Sequence, residues 1–171
     1  MSEGKILYAM QDETCFLRLV GEIRYDRSVA FDEFIDRLFD EKRPSWVLID
    51  MTDTTLIDST NLGLLAKIAK RLLSSRNHRP TIFSTDDDIT MLLRNIGFDD
   101  VFDVVEDEKA APPELRQVPG ITPGKSAQAR TMLEAHRELM ALNEKNRDVF
   151  KDVVGMMEKD VERSAVEHEV R

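Results

Sequence analysis

The chain reads as an α/β protein with a mixed, mostly parallel β-sheet, crossover helices and a long C-terminal helical extension. Three observations carry this. Over the first 110 residues, short apolar runs alternate with stretches whose apolar residues recur three and four apart, as strands joined by helices do. Pro112, Pro113, Pro119 and Pro123 then cluster with Gly120 and Gly124 in residues 111–124, holding four of the six prolines; such a segment is a stiff connector. Beyond it, residues 125–168 contain no proline and one glycine, Gly155. The predicted organisation is an α/β domain over 1–110, a connector over 111–124 and an amphipathic helical extension over 125–171.

Residues 5–9 and 15–20 are short apolar runs separated by Gln11-Asp12-Glu13, which predicts a hairpin. Gly21 is expected to end the second strand. Ser28 is expected to cap a helix whose face is Val29, Ala30, Phe31, Phe34, Ile35, Leu38 and Phe39, broken by Pro44. Trp46-Val47-Leu48-Ile49 is a continuous apolar run, expected to be a central strand buried on both faces and ending in Asp50. A polar loop over 52–58 follows. Leu62, Leu65, Ala66, Ile68, Ala69 and Leu72 give the next helix, from Ser59 to about Ser74, a broad apolar stripe, with Lys67, Lys70, Arg71 and Arg76 towards its negative end.

A third buried strand is expected over 80–84. Asp86-Asp87-Asp88 opens a helix as cap and dipole complement, Ile89, Met91, Leu92, Leu93 and Ile96 supply its face, and Gly97 closes it. Residues 101–105 form a last strand before Glu106-Asp107-Glu108. In the extension, Met132, Leu139, Phe150, Val153 and Met157 lie near heptad spacing, broadened by Leu142, Val149 and Met156. His136, Asn143 and Asn146 interrupt that heptad, which argues against a long autonomous coiled coil. One straight helix of this length would reach about 60–65 Å, beside a domain with a radius of gyration of about 13 Å. Either the extension breaks near 143–146 or Gly155 and folds back, or it projects and meets another chain.

The 171 residues are 42% apolar and 33% charged, enough to bury a core. Lys and Arg number 24 against 33 Asp and Glu, a formal charge of −9, which argues against a nucleic-acid partner. Most of that charge sits in residues 1–110, with 14 basic and 22 acidic side chains against 10 and 11 in residues 111–171. Cys15 is the single cysteine, so neither a disulfide framework nor a four-cysteine metal site is expected. The opening MSEGKILYAM has no long apolar run and no stretch approaches the roughly 18 apolar residues of a membrane span. A cytoplasmic protein with no membrane insertion is expected.

The richest local signal is Asp50-Met51-Thr52-Asp53-Thr54-Thr55-Leu56-Ile57-Asp58-Ser59-Thr60-Asn61-Leu62-Gly63. Ile57 is expected to dock the loop on the core, Asp58 or Ser59 to cap the helix, and Gly63 to allow close packing in its first turn. Ser59 is then a hydroxyl at an exposed helix start, where free N–H groups accept a phosphate. Phosphorylation there would add about −1.5 to −2 charges beside Asp58, Asp53 and Asp50 and oppose an acidic or apolar partner. The plain alternative is that Asp58 and Ser59 only cap a helix.

An apolar strand ending in Asp50, the loop after it, and Ile57-Asp58-Ser59-Thr60-Asn61-Leu62-Gly63 opening a helix resemble the STAS domain family, the bacterial anti-sigma factor antagonists. The Ile96-Gly97-Phe98 turn adds to the resemblance, which covers roughly residues 4–107. It implies a non-enzymatic partner switch that needs no cofactor or metal. The unphosphorylated form binds an anti-sigma factor that is also a serine kinase, phosphorylation of the serine blocks binding, and a PP2C-type phosphatase reverses it. Ser59 matches the phosphorylated serine, Asp58 the acid before it, and Thr60 a second hydroxyl position. Asn61 stands where many members have glycine; asparagine tolerates left-handed conformations but adds a side chain. The docking surface implied is the start of the helix (Ser59, Asn61, Leu62, Leu65) with the loop from Asp53 through Thr54 and Ile57 to Asp58. The Ser-Thr-Asn-Leu-Gly-Leu-Leu run looks like regulators of biofilm, motility or secretion. The long extension departs from the minimal family domain.

Two rival classes fit these residues less well. For an enzyme, His78, His136 and His168 lie far apart, with no i, i+4 zinc pairing and no P-loop, and Asp50, Asp53 and Asp58 lack a Ca²⁺-loop spacing. For a receiver domain phosphorylated on Asp50, the first strand runs into Met10-Gln11 without acids, and no lysine ends the last. A further alternative is a STAS scaffold subunit of a signalling complex, oligomerising or homodimerising through residues 125–168.

Overall fold

A computed structural model describes residues 3–107 and 114–169. Pro112 and Pro113 of the expected connector, Glu108, and the His168 side chain lie outside the described residues. Strands β1 (Lys5–Gln11) and β2 (Thr14–Ile23) form the expected antiparallel hairpin, paired from Lys5↔Val20 to Gln11↔Thr14. Asp12 turns it at φ 54°. Parallel to β2 runs β3 (Trp46–Asp50). The order across the sheet is β6-β5-β3-β2-β1-β7, with β5 (Thr81–Phe83) and β6 (Asp103–Val105) parallel and β7 (Arg116–Gln117) antiparallel to β1.

Burial alternates along β2: Cys15, Leu17, Leu19 and Ile23 are fully buried, whereas Phe16, Arg18 and Val20 are half-buried. The helices contribute to one core cluster with these inward side chains. For that reason β3 is not buried on both faces as its apolar run suggested: Val47 and Ile49 point into the core, Leu48 is half-buried and Trp46 is 55% exposed.

The segment over 52–58, read from sequence as a polar loop, contains a strand, β4 (Thr54–Ile57). It pairs in parallel with the end of β2, which continues past Gly21 instead of stopping there. Gly21 adopts φ 78°, and the register shifts between Gly21 and Glu22. Glycine takes this left-handed conformation at little steric cost. β3 therefore pairs with the first half of β2 and β4 with the second, while Gly21 N–H donates to the Asp53 carbonyl at 2.9 Å.

Helix α1 (Ser28–Arg37) is entered through a 3₁₀ turn at Tyr25–Arg27. Ser28 is not its cap: its hydroxyl donates back to the Tyr25 carbonyl at 2.6 Å. A π-turn at Leu38–Lys42 and a left-handed Arg43 end the helix before Pro44. Helix α2 (Ser59–Arg76) runs to Asn77, left-handed at φ 60°. Asp86 caps α3 (Asp87–Asn95) by accepting from Ile89 N–H, and Gly97 follows it at φ 88°. The last strand starts later than expected because Phe98–Asp100 is a 3₁₀ turn that buries Phe98 against Phe102, ring centroids 4.8 Å apart.

The extension folds back as two helices, α4 (Lys125–Met140) and α5 (Glu144–Glu169). Asn143 Oδ1 accepts from Asn146 N–H at the elbow, and Asn146 Nδ2 donates to the Ile96 and Leu139 carbonyls at 2.8 and 2.9 Å. Helix α4 lies across α1 and α2. The expected heptad seam is only partly inward. Leu139 is fully buried and Phe150 half-buried, but Val153 is 41% exposed, and Val149 and Met156 also face outward. Leu133 and Val154 take the buried positions, because the two helices pack on each other and on the domain through different faces.

Thr60 to Ala66 are buried without interruption. Seven consecutive helical residues span all sides of a helix, so one stripe on a sheet cannot account for them. The second cover is α4: a Cβ on Gly63 would overlap the Ala135 carbonyl oxygen. On an exposed helix, glycine to alanine gains about 1 kcal/mol. Here the overlap with α4 backbone reverses the sign, and Gly63→Ala is expected to lower unfolding stability by about 1–3 kcal/mol in chemical denaturation.

Lys67 links α2 to α1, donating to Asp32 at 2.7 Å and Asp36 at 2.8 Å. Burial disfavours the ammonium, but the hydrogen bonds and charges of the two carboxylates outweigh it and raise its pKa above 10.5. A folded-state pKa above the unfolded one means that this contribution is fully present below about pH 10 and is lost as pH rises through the folded value. Lys67→Met is expected to cost about 1–2 kcal/mol at pH 7, and its stability deficit should shrink above pH 10.5.

Candidate functional site

The site is built outward from β4. Thr54 is buried, its hydroxyl donating to the Leu19 carbonyl at 2.7 Å, and Ile57 is buried in the core. Asp58 N–H donates to the Ile23 carbonyl at 3.1 Å, so the strand pairing carries the chain to the start of α2 in a set position. Asp58 is the cap. It is extended at φ −85° and ψ 169°, and its Oδ1 accepts from Asn61 N–H at 3.0 Å and from Asn61 Nδ2 at 2.9 Å.

Asn61 is helical and fully buried, not left-handed, so its side chain serves the cap instead of a special backbone conformation. Its Oδ1 has no hydrogen-bond partner among the described residues. Leu62 and Leu65, expected on a docking surface, are core side chains at 3% and 0% exposure, because they face the sheet and α1 side of a helix covered all round. Thr60 is likewise buried. Asp53 and Thr55 are exposed, and Leu56 and Asp58 are half-exposed.

The acids do not act as one cluster. Asp50 is buried, with Oδ1 accepting from Thr52 N–H at 2.9 Å and from its hydroxyl at 2.7 Å. Its other oxygen lies 3.7 Å from Arg18 Nε, while Arg18 Nη2 pairs with Asp53. One guanidinium thus serves Asp50 and Asp53, and Asp58 is the acid adjoining Ser59 along the chain.

Ser59, expected at an exposed helix start, is half-buried. Its Oγ lies 2.8 Å from Nε2 of His136 on α4. His136 Nδ1 lies 2.7 Å from the Met132 carbonyl, which can only accept. Nδ1 therefore carries a proton, and Nε2 shares a hydrogen bond with the Ser59 hydroxyl. The imidazole is 3% exposed and stands edge-on to Phe150, centroids 5.6 Å apart. Three turns along α2, Lys70 Nζ donates to Glu138 Oε1 at 3.1 Å across the same helix pair.

Sequence reasoning placed His136 among the residues that break the heptad and did not connect it to Ser59. The legible signal was a polar ring at an inward heptad position, which needs a hydrogen-bond partner when buried. His78 stacks on Trp46, centroids 4.3 Å apart, well away in the chain from either residue. No group of three or more His, Cys, Asp or Glu side chains among the described residues could hold a metal ion, and no helix among them is long and apolar enough to cross a membrane.

Similar folds are found among solved structures. An anti-sigma factor antagonist from Mycobacterium paratuberculosis is 17% identical with a TM-score of 0.53, covering 61% of this chain and 87% of its own. The anti-sigma factor antagonist SpoIIAA in its unphosphorylated form is 15% identical with a TM-score of 0.53, covering 58% and 87%. Bacillus SpoIIAA in its phosphorylated form is 15% identical with a TM-score of 0.49, covering 58% and 90%. No curated protein sequence matches the chain. The STAS domain family matches residues 5–111, from β1 through β6, with α4 and α5 beyond it. On that match, which spans more than half of the sequence, the chain belongs to the STAS domain family.

Proposed function

We propose that the chain is an anti-sigma factor antagonist working as a cytoplasmic, non-catalytic partner switch, with Ser59 as the switch residue. The unphosphorylated form binds an anti-sigma factor that is also a serine kinase and releases what that factor holds. Phosphorylation of Ser59 ends the binding, a PP2C-type phosphatase restores it, and the output is biofilm, motility or secretion control. The observation that carries this reading is the placement of Ser59 as the first residue of α2, directly after the Asp58 cap on a strand pinned to β2. Free N–H groups at that helix start accommodate a phosphate. The added charge of about −1.5 to −2 faces Asp58 and repels an acidic or apolar partner. The accessible part of the docking surface is Asp53, Thr55, Leu56, Asp58 and Ser59, with Thr54 and Ile57 holding its backbone.

The outward line of Val149, Val153 and Met156 on α5 supports a second reading, a scaffold subunit that assembles through residues 125–168. Native mass separates the two. A scaffold is expected to lose its oligomer on Val153→Asp with Met156→Glu, whereas a free antagonist is expected to remain monomeric with or without these changes.

Incubation with the cognate kinase and ATP is expected to place phosphate on Ser59, read by mass spectrometry of the peptide. Phosphate confined to Thr60 or the extension would refute the switch. Ser59→Ala is expected to keep binding the kinase-type partner in the presence of ATP. Ser59→Glu should weaken binding by about tenfold, roughly 1.4 kcal/mol, measured by calorimetry, and less than phosphate does because a carboxylate carries less charge.

A further inference from the structure

The face of α2 that runs through Ser59, Gly63 and Lys70 is covered by a helix of this same chain. Three contacts along that cover are made without a large apolar side chain, although Ala135 itself lies in the core cluster. At Gly63 the helices meet backbone to backbone, without a large side chain between them. At Ser59 the contact is one hydroxyl–imidazole hydrogen bond. At Lys70 it is an ion pair at the surface, with the lysine side chain 65% exposed. Polar contacts such as these exchange for water or for a partner at small net cost.

The large apolar side chains that α4 buries are Leu133 and Leu139, and Leu139, in the core cluster, lies at the elbow end of the helix. The elbow is held on α3 by Asn146 and Lys145, which donate to the Ile96 and Asn95 carbonyls. Before α4, β7 pairs with β1, and Val118 N–H donates to the Ile6 carbonyl at 2.8 Å. Both ends of α4 are therefore tethered close to the face that it covers, and re-docking after release is intramolecular.

We propose that this face is a helix-docking groove, that α4 is its displaceable occupant in the resting chain, and that the partner enters by putting a helix of the same pattern in its place. This rests on the reading of Ser59 as the switch. The partner helix carries a small residue opposite Gly63, a hydrogen-bonding side chain opposite Ser59 and an acid opposite Lys70, the positions held here by Ala135, His136 and Glu138. Displacement uncovers Gly63 and Ser59 together, so the groove and the hydroxyl become available in one step.

The test uses the full chain in three forms. Ala135→Arg, which puts a long charged side chain at the closest approach, holds the groove open, and His136→Ala is the milder opener. Lys70→Cys with Glu138→Cys, joined by a short bis-maleimide, holds it shut; Cys15 is buried and does not compete. The probe is a fluorescent peptide of residues 125–141. It is expected to bind the Ala135→Arg chain at least about tenfold more tightly than the wild type, to bind the His136→Ala chain with intermediate affinity, and not to bind the cross-linked chain. The same peptide carrying arginine in place of Ala135 should not bind any form. Hydrogen exchange over α4 should be faster than over β2 and β3 in the wild type and should slow on cross-linking.

Equal peptide binding by open, wild-type and cross-linked chains, with β2 and β3 still protected from exchange, overturns the groove. Equal rates of Ser59 phosphorylation across the three forms, by the serine kinase that modifies the wild type, overturn its control of the switch. Peptide uptake by the open form with no kinase acting on Ser59 supports the groove and refutes the partner-switch reading instead.

Discussion

The absence of a side chain at Gly63 is the constraint on which the arrangement of this molecule depends. Because α2 has no Cβ there, the α4 backbone comes down onto it at Ala135. The next residue, His136, is thereby brought to Ser59 and Glu138 to Lys70. A larger residue at 63 would hold α4 away, and the hydrogen bond at 2.8 Å between Ser59 and His136 could not form. A packing requirement in the second turn of one helix thus determines the environment of a hydroxyl one turn earlier, and joins the STAS domain to helices that lie beyond it.

Polar residues set the register of that junction. An amphipathic hairpin held only by apolar contacts can slip by a turn with little penalty, since one leucine replaces another. His136, Asn143 and Asn146 remove that freedom, because each leaves a buried polar group unpaired if its helix shifts. Asn146 satisfies both Ile96 and Leu139, tying α3, α4 and α5 at one point. His136 is satisfied at both nitrogens, by Met132 and by Ser59. The residues that spoil the heptad are those that fix where the extension sits.

Much of this was legible in the sequence, and the exceptions share a cause. The hairpin, the three crossover helices and the acidic cap of α3 follow from local pattern, whereas that pattern left the α2 cap between Asp58 and Ser59 and the extension between a break near 143–146, a break at Gly155 and a projecting helix. β4 did not, because Thr54 and Thr55 look like loop residues and their pairing depends on a distant glycine, Gly21, bending β2 to receive them. Trp46 and Leu48 read as core because an apolar run does not reveal which of its alternate side chains the helices will cover. At the site, the sequence pointed to Ser59 and Asp58 but placed the hydroxyl in the open and surrounded it with three acids. Arg18, 35 residues from Asp53, engages two of those acids, and His136, 77 residues from Ser59, covers the hydroxyl. Both corrections are long-range pairings between single polar side chains, which periodicity does not encode.

Ser59 modification and α4 docking draw on the same volume. A phosphoryl group on Oγ replaces the hydroxyl proton and adds three oxygens where the imidazole edge stands 2.8 Å away. The docked helix and the modified serine therefore cannot coexist in this geometry, and their free energies are linked. On the proposed switch, whatever loosens α4 favours modification of Ser59, and modification of Ser59 loosens α4. In a domain lacking this extension, a charge at Ser59 can act only on the partner's own surface. On the proposed switch it would also act on a competitor carried by the same chain, with the imidazole at position 136 carrying the state of the serine to the helices beyond.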